Sequence, residues 1–346
     1  MNKEVTRRGF VGLAAATGAA VVLTGCSAGG SASSGSASAA ASGSASAAAS
    51  KGGNTLRFVT GGESGTYYAF GSVIAQHATN NAGIKVTALA GNGSQSNVTE
   101  LEDGNADLGF CQSDVMAYAY NGTNLFDGMP VTCFSTVASL YQEQVQIVTC
   151  NPDIKTVADL KGKKVSVGAA GSGVYFNALD VLKAYGLTEA DIKATYQSFG
   201  DSADALKNEQ IDAAFLVAGA PTTAITDLST SKQAYLVSMD AEHVKKLMDD
   251  VDYYGSATIK AGTYGGIDTD TTTVAVKAVV LANDTVAEDD IYALTADIFD
   301  NAADLVESHA KYAEINVEEG ASITSVPYHP GAAKYFKEKG FDVATK

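Results

Sequence analysis

Arginine is nearly absent from this sequence. Apart from Arg7 and Arg8, close to the first residue, only Arg57 occurs in 346 residues. A planar guanidinium is the usual bidentate partner of a carboxylate. Arg57 lies within a predicted strand, so its side chain can point to either face of a sheet. A bound anion would otherwise depend on helix N-termini, hydroxyls, amides and lysine.

Long apolar runs and positive charge are also lacking. The body of the chain contains no run of eighteen apolar residues, which argues against an integral membrane protein. Acidic residues number 39 against 23 basic ones, for a formal net charge of -16. Such a surface argues against nucleic-acid binding and against adsorption to anionic lipid. At 346 residues the chain is long enough for one large domain or two medium ones.

The residues and motifs of common catalytic sites are missing as well. There is no P-loop, no GxGxxG and no GxSxG, and the four histidines and four cysteines lack metal-ligand spacing. We therefore expect no cofactor, no metal and no catalytic residue, with an enzyme as the minority alternative. Cys111, Cys133 and Cys150 lie in apolar contexts, which favours buried free thiols and leaves one disulfide open.

The first 53 residues have the pattern of an export signal followed by a tether. Residues 1–26 combine a basic start, a small apolar middle and the ending Leu-Thr-Gly-Cys. The stretch TRRGF resembles a twin-arginine signal, and LTGC resembles a lipobox in which Cys26 is acylated. The alternative is an ordinary secretory signal with a chance cysteine. Residues 27–53, almost purely Ser, Ala and Gly, predict a flexible tether. We expect a chain anchored by lipid to the extracytoplasmic face of the cytoplasmic membrane.

After the tether, the order βαβαβ occurs twice. Gly65 matches Gly171 and Asp107 matches Asp212, within the similar passages LEDGNADLGF and LKNEQIDAAF. Alternation of this kind predicts parallel sheets covered by helices. We expect an α/β protein with lobe I at residues 54–145 plus 275–346 and lobe II at residues 146–274. Extended runs at 145–149 and 272–280 would cross between the lobes as a two-strand hinge.

Four polar loops should then face each other across the cleft: GGESG, GNGSQSN, AAGSG and SFGDSA. Glycines before a helix expose backbone N–H groups where the helix dipole favours an anion, although glycine also simply permits a tight turn. Of Tyr67 and Tyr68, one is expected to pack into the lobe and the other to reach the cleft. The predicted ligand-binding residues are Gly62, Ser64, Gly65, Tyr67, Asn92, Ser94, Asn97, Gln112, Ser113, Ser172, Gly173, Tyr175, Asn177 and Gly219.

Several stretches together resemble the TAXI family of TRAP transporter solute receptors. They include GTYYAFG (65–71), LEDGNADLGFCQSDVMAYAYNGTNLF (101–126), VADLKGKKVSVGAAGSGVYFNA (157–178), QIDAAFLVAGAPTTAITDL (210–228) and PYHPGAAKYFKEKG (327–340). The resemblance implies the type II periplasmic-binding-protein fold, hinge closure on a solute, and docking on TRAP membrane permease subunits. It implies a small anionic or zwitterionic ligand, glutamate-like or a dicarboxylate. The chain departs from the family at residues 173–178, where Val-Tyr-Phe replaces more polar residues. A ligand sensor or a periplasmic enzyme on the same two-lobed fold is the alternative.

Overall fold

The computed structural model describes residues 55–346. The predicted signal peptide, lipidation at Cys26 and tether fall outside the described residues. Within 55–346, no helix combines the length and the apolar character that a membrane crossing requires.

The first βαβαβ unit folds in the predicted order. Its elements are β1 (Leu56–Val59), α1 (Thr66–Asn81), β2 (Val86–Leu89), α2 (Ser94–Glu102), β3 (Leu108–Gln112) and α3 (Ser113–Asn121). Strand β1 pairs in parallel with both β2 and β3. The chain then enters a long strand, β4 (Phe134–Thr149), which begins eleven residues before the predicted crossing strand.

The second unit repeats this arrangement. Its elements are β5 (Lys164–Ser166), α4 (Val174–Ala184), β6 (Lys193–Thr195), α5 (Phe199–Lys207), β7 (Ala213–Ala218), α6 (Thr223–Ser231), β8 (Tyr235–Leu236), α7 (Ala241–Asp250) and β9 (Gly255–Ile259). Strand β5 pairs in parallel with β6 and β7. The long strand β10 (Thr271–Asn283) then returns the chain to the first unit.

Three helices complete the first lobe: α8 (Glu288–Asp300), α9 (Val317–Gly320) and α10 (Pro330–Glu338). Helix α8 ends at Asp300. The Asn301 side chain donates to the Asp297 carbonyl oxygen at 3.0 Å, which binds a carbonyl that a continuing helix would use. Two 3-10 turns follow, Ala302–Leu305 and Ala310–Glu314.

Both lobes share one sheet with the strand order β2-β1-β3-β10-β4-β7-β5-β6. The crossing strands β4 and β10 pair antiparallel with each other. Along β4, Tyr141 belongs to the core of the first lobe and Val145 to that of the second. Along β10, the same change occurs between Val276 and Ala278. Two α/β lobes linked by two crossing strands form the type II periplasmic-binding-protein fold.

The internal repeat has a structural basis in two aspartates. The Asp107 carboxylate accepts from the Arg57 backbone N–H at 2.8 Å, and that of Asp212 accepts from the Lys164 backbone N–H at 2.7 Å. Each aspartate therefore joins the first and third strands of its lobe. The glycine match needs a correction: α1 begins after Gly65 and α4 after Gly173, so Gly173 rather than Gly171 is equivalent to Gly65. The three cysteines of the described range are free thiols.

Candidate functional site

A cavity of about 100 Å³ lies between the two lobes. Its lining comes from the four predicted loops and from strands at the floor of the cleft. The lining residues are Gly61, Gly62, Gly65, Thr66, Tyr67, Gly91, Asn92, Gly93, Ser94, Gln112, Glu143, Ala169, Ser172, Gly173, Val174, Ser198, Phe199, Val217 and Ala218.

Four helices begin at this cavity. Helices α1, α2, α4 and α5 follow the N-cap residues Gly65, Gly93, Gly173 and Ser198, all of which line it. The first N–H groups of a helix have no acceptor within the helix, and its dipole is positive at that end. The cavity walls therefore offer backbone donors from both lobes to a negatively charged group.

Three buried polar atoms at the cavity have no hydrogen-bond partner within the described chain: Tyr67 Oη, Glu143 Oε1 and Ser172 Oγ. Their residues are 8%, 2% and 6% exposed. A buried polar atom without a partner costs free energy, and such atoms are rare in folded proteins. The side chains that carry these three atoms line the cavity.

Tyr67 resolves the choice between the two adjacent tyrosines. Its ring stacks on Phe110, with centroids 4.6 Å apart and planes 5° from parallel. One side chain therefore packs into the lobe and also brings its hydroxyl to the cavity, whereas Tyr68 does not line it. Burial raises the pKa of Tyr67 well above its usual value, so the hydroxyl keeps its proton and can donate.

Among the residues of 55–346 that line the cavity, Glu143 is the one with an ionisable carboxyl or ammonium side chain. It lies on β4 opposite Val276 of β10, between the cores of the two lobes. Burial raises the pKa of its carboxyl to about 8. Lys311, a neighbouring buried cation, forms its ion pair with Glu314 and lies 5.4 Å from the centre of the Tyr141 ring. No ion pair within residues 55–346 involves Glu143.

The structure brings together eight of the fourteen predicted site residues. They are Gly62, Gly65, Tyr67, Asn92, Ser94, Gln112, Ser172 and Gly173. Six of these eight are glycines or hydroxyl and amide side chains from the loops at the helix starts, which is the pattern on which the prediction rested.

Six predicted residues lie outside the cavity lining. Asn97 donates to the carbonyl oxygens of Thr60 and Phe110, which fixes the loop after β1 to β3. The hydroxyl of Tyr175 donates to Glu189, and that of Ser113 accepts from the Lys277 backbone N–H. The remaining three, Ser64, Asn177 and Gly219, lie in contacts that join the two lobes.

These contacts hold the lobes closed around the cavity. Thr66 Oγ1 donates to the Gly219 carbonyl oxygen at 2.8 Å, and the Ala224 backbone N–H donates to the Ser64 carbonyl oxygen at 3.2 Å. The backbone N–H of Ser96 donates to the Gly171 carbonyl oxygen at 2.9 Å. The two lobes therefore meet through backbone groups of the glycine loops.

A buried side-chain network behind the cavity adds to the closure. Gln112 Nε2 donates to Asn177 Oδ1 at 2.8 Å, and Asn177 Nδ2 donates to Asp114 Oδ2 at 2.9 Å. Asn177 Nδ2 also lies 2.7 Å from the Tyr254 hydroxyl. Burial raises the pKa of Asp114 to about 7. Asn177 thus binds the other lobe without touching the solute space.

Sequence reasoning missed Glu143 altogether. The only available signal was a single acid within the otherwise apolar and neutral stretch FSTVASLYQEQVQIVT, in a strand predicted to begin later. The sequence also left the direction of the Arg57 side chain open. In the structure its guanidinium pairs with Asp107 at 2.9 Å and does not line the cavity. The described residues contain no group of three or more His, Cys, Asp or Glu side chains placed to hold a metal ion.

Three solved structures align with most of this chain. A protein from Bordetella bronchiseptica RB50 is 17% identical, with a TM-score of 0.50, over 83% of this chain and 91% of that chain. The periplasmic aliphatic sulphonate binding protein from Escherichia coli is 17% identical, with a TM-score of 0.46, over 83% and 90%. PhnD1 from Prochlorococcus marinus (MIT 9301), in complex with methylphosphonate, is 11% identical, with a TM-score of 0.49, over 75% and 88%. The model of the NMT1-like family matches residues 58–340, and the chain therefore belongs to that family.

Proposed function

We propose that this protein is an extracytoplasmic solute receptor of a TRAP-type secondary transporter, in the TAXI family that its sequence resembles. It binds a small carboxylate, such as glutamate or a dicarboxylate, by hinge closure and delivers it to a membrane permease. The observation that carries this proposal is the closed cavity, which four helix N-termini and three unpartnered buried polar atoms border.

The helix starts supply the reason for a carboxylate. The N-cap residues of α1, α2, α4 and α5 line the cavity, and helix starts placed in this way suit an anion without any arginine. Closure brings donors from both lobes onto one solute, so the solute favours the closed form by its additional contacts. The closed surface is then available to a permease.

The location follows from the first 53 residues of the sequence. A lipid on Cys26 and the Ser/Ala/Gly tether would hold the receptor on the extracytoplasmic face of the membrane while the lobes move freely. Membrane fractionation of the full chain and of Cys26→Ser tests this location. If the variant remains in the membrane fraction, the anchor is not at Cys26.

Binding is tested by thermal shift and calorimetry against amino acids, their 2-oxo acids, dicarboxylates and sulphonates. A true ligand at a hundredfold excess over Kd stabilises the protein by about 2.7 kcal/mol. If no small carboxylate raises the melting temperature, the ligand class is wrong.

The site is tested by Ser172→Asp, which adds a negative charge where the Ser172 hydroxyl lies unpartnered. We expect affinity to fall by at least about tenfold, since a like charge would oppose the carboxylate. Ser256→Asp is the matched control, because Ser256 is exposed on β9 and remote from the cavity lining. Equal affinity of the two variants would remove the second glycine loop from the site.

A further inference from the structure

Glu143 adds an acidic group to a cavity whose other walls are formed largely by helix starts. The helix starts favour negative charge, whereas the Glu143 carboxyl presents an unpartnered acceptor oxygen from the floor of the cleft. Within the part of the chain that the structure describes, no lysine, arginine or histidine lines the cavity to neutralise this group. A solute bound here therefore meets donors at one end and an acid at the other.

We infer that the cavity selects a compact zwitterionic α-amino acid, whose ammonium group binds Glu143 while its carboxylate binds the helix starts. This inference rests on the proposed solute-receptor function and narrows its ligand class. It favours an amino acid over a dicarboxylate or a 2-oxo acid.

Electrostatics supports the assignment from the side of the protein. A buried carboxylate is costly unless a positive or hydrogen-bonding partner meets it, so closure around a dianion leaves Glu143 protonated, whereas an ammonium group stabilises its ionised form. An ammonium group supplies three N–H donors and a positive charge. Tyr67 Oη, which keeps its proton, is a further donor at the cavity.

The Tyr141 hydroxyl and the Gly219 backbone lie close enough to Glu143 to lower the pKa of its carboxyl, but neither of them supplies a positive charge. The titratable groups around it are Tyr141 on the same strand, Tyr67 on α1, Asp114 on α3 and Lys311 on the 3-10 turn after α8. The two tyrosines and Asp114 carry no positive charge, and Lys311 is paired with Glu314. The acceptor thus remains open to a solute.

The size of the cavity agrees with this class. A cavity of roughly 150 Å³ holds a molecule of benzene. At about 100 Å³, the closed space accepts a solute of few heavy atoms and excludes a peptide. A small solute that carries an ammonium group and a carboxylate group on the same carbon atom matches both the size of the cavity and its two kinds of binding group.

The test uses pairs of solutes that differ in the α-ammonium group: alanine and pyruvate, aspartate and oxaloacetate, glutamate and 2-oxoglutarate, with succinate added. By calorimetry on the full chain, we expect at least one amino acid to bind at least about tenfold tighter than its 2-oxo acid. Glu143→Gln, which keeps the shape and removes the acidic group, should weaken that amino acid by at least about tenfold. Glu318→Gln, at an exposed site on α9, should leave the affinity unchanged.

Proton release gives a second measurement that needs no variant. Because burial raises the pKa of Glu143 to about 8, its carboxyl is largely protonated at pH 7 in the solute-free closed form. Calorimetry at pH 7 in two buffers of different ionisation enthalpy should therefore show release of a proton with an amino acid, because the ammonium group favours the ionised carboxylate. A dicarboxylate or a 2-oxo acid should release no proton, because the protonated Glu143 carboxyl is the form that avoids like charge.

The outcomes separate the inference from the proposed function. Binding of a dicarboxylate or 2-oxo acid as tightly as the corresponding amino acid, or binding of the amino acid without proton release, overturns the inference and leaves the receptor function standing. Unchanged amino-acid affinity in Glu143→Gln also overturns it. Failure of every solute in the panel to bind the unmodified protein overturns the receptor proposal itself.

Discussion

At the scale of single residues, Gly173 decides how closely the lobes can approach. A methyl group at its Cα would lie 1.4 Å from Gln112 Oε1 and 3.1 Å from Ser94 Oγ, both in the opposite lobe. Its backbone has φ -72°, which any residue adopts, so the need for glycine here arises from closure and not from the local turn.

Gly173→Ala should therefore impair binding more than folding. We expect the ligand-free melting temperature to stay close to that of the unmodified protein and affinity to fall about 5- to 140-fold, from the ~1–3 kcal/mol cost of overpacking. Gly255→Ala is the control, because its added methyl would have no atom within 4 Å. Calorimetry that finds equal affinities for both variants would show that the lobes do not close as described.

The sequence identifies Gly173 but not Glu143 as a residue of the cavity, and the reason is physical. A glycine before a helix is a local signal, since the turn and the helix start are encoded by neighbouring residues. The burial of Glu143 depends on β7, on β10 and on closure of the two lobes, all distant in sequence. Asn97 is the opposite case, a predicted ligand-binding residue that does not line the cavity. Its loop does line the cavity, but its amide donates to backbone carbonyl groups of its own lobe.

At the scale of secondary-structure elements, the repeated aspartates connect the first and third strands of each lobe. Asp107 and Asp212 each accept from a backbone N–H of the first strand, and their own N–H groups donate back, at 3.0 and 2.8 Å, to Arg57 and Lys164. Asp107 also accepts from the Arg57 guanidinium, whose hydrogen bond lowers the pKa of Asp107. The element order and these equivalent positions are local patterns, which is why they could be predicted.

Replacing these aspartates should cost stability in proportion to their contacts. We expect Asp212→Ala to lower the free energy of unfolding by about 1 kcal/mol and Asp107→Ala by about 1–2 kcal/mol. Urea unfolding measures both, with Asp103→Ala, at an exposed position on the C-terminal side of α2, as control. Because the pKa of Asp107 is lowered on folding, its contribution is present above its unfolded pKa, near 4, and is lost as the pH falls through the folded value. An effect of Asp107→Ala that persists unchanged in acid would contradict the ion pair.

At the scale of the whole molecule, hydrogen bonds across the cleft should act on binding, and those within a lobe on folding. Thr66 Oγ1 donates across the cleft to the Gly219 carbonyl oxygen, whereas Thr60 Oγ1 donates within lobe I to the Leu89 carbonyl oxygen, both at 2.8 Å. Both threonines are buried. They therefore form a matched pair for the same substitution.

Thr66→Val should weaken solute binding about 2- to 12-fold and leave the ligand-free melting temperature unchanged, because one hydrogen bond contributes about 0.5–1.5 kcal/mol. The Gly219 carbonyl keeps Thr222 as a donor, which limits the loss. Thr60→Val should lower the melting temperature and leave affinity unchanged. Calorimetry and thermal denaturation of the pair measure this, and identical behaviour of the two variants would refute the division.

The position of Glu143 on β4 has a kinetic consequence. Both lobes are attached to this strand, so its side chain stays at the bottom of the cleft when the lobes separate, whereas the glycine loops move apart. In the proposed hinge motion, an arriving solute can therefore contact Glu143 before the glycine loops of the two lobes converge on it. We therefore expect substitutions of Glu143 to change mainly the association rate, and substitutions in the loop contacts, Thr66 among them, to change mainly the time before release.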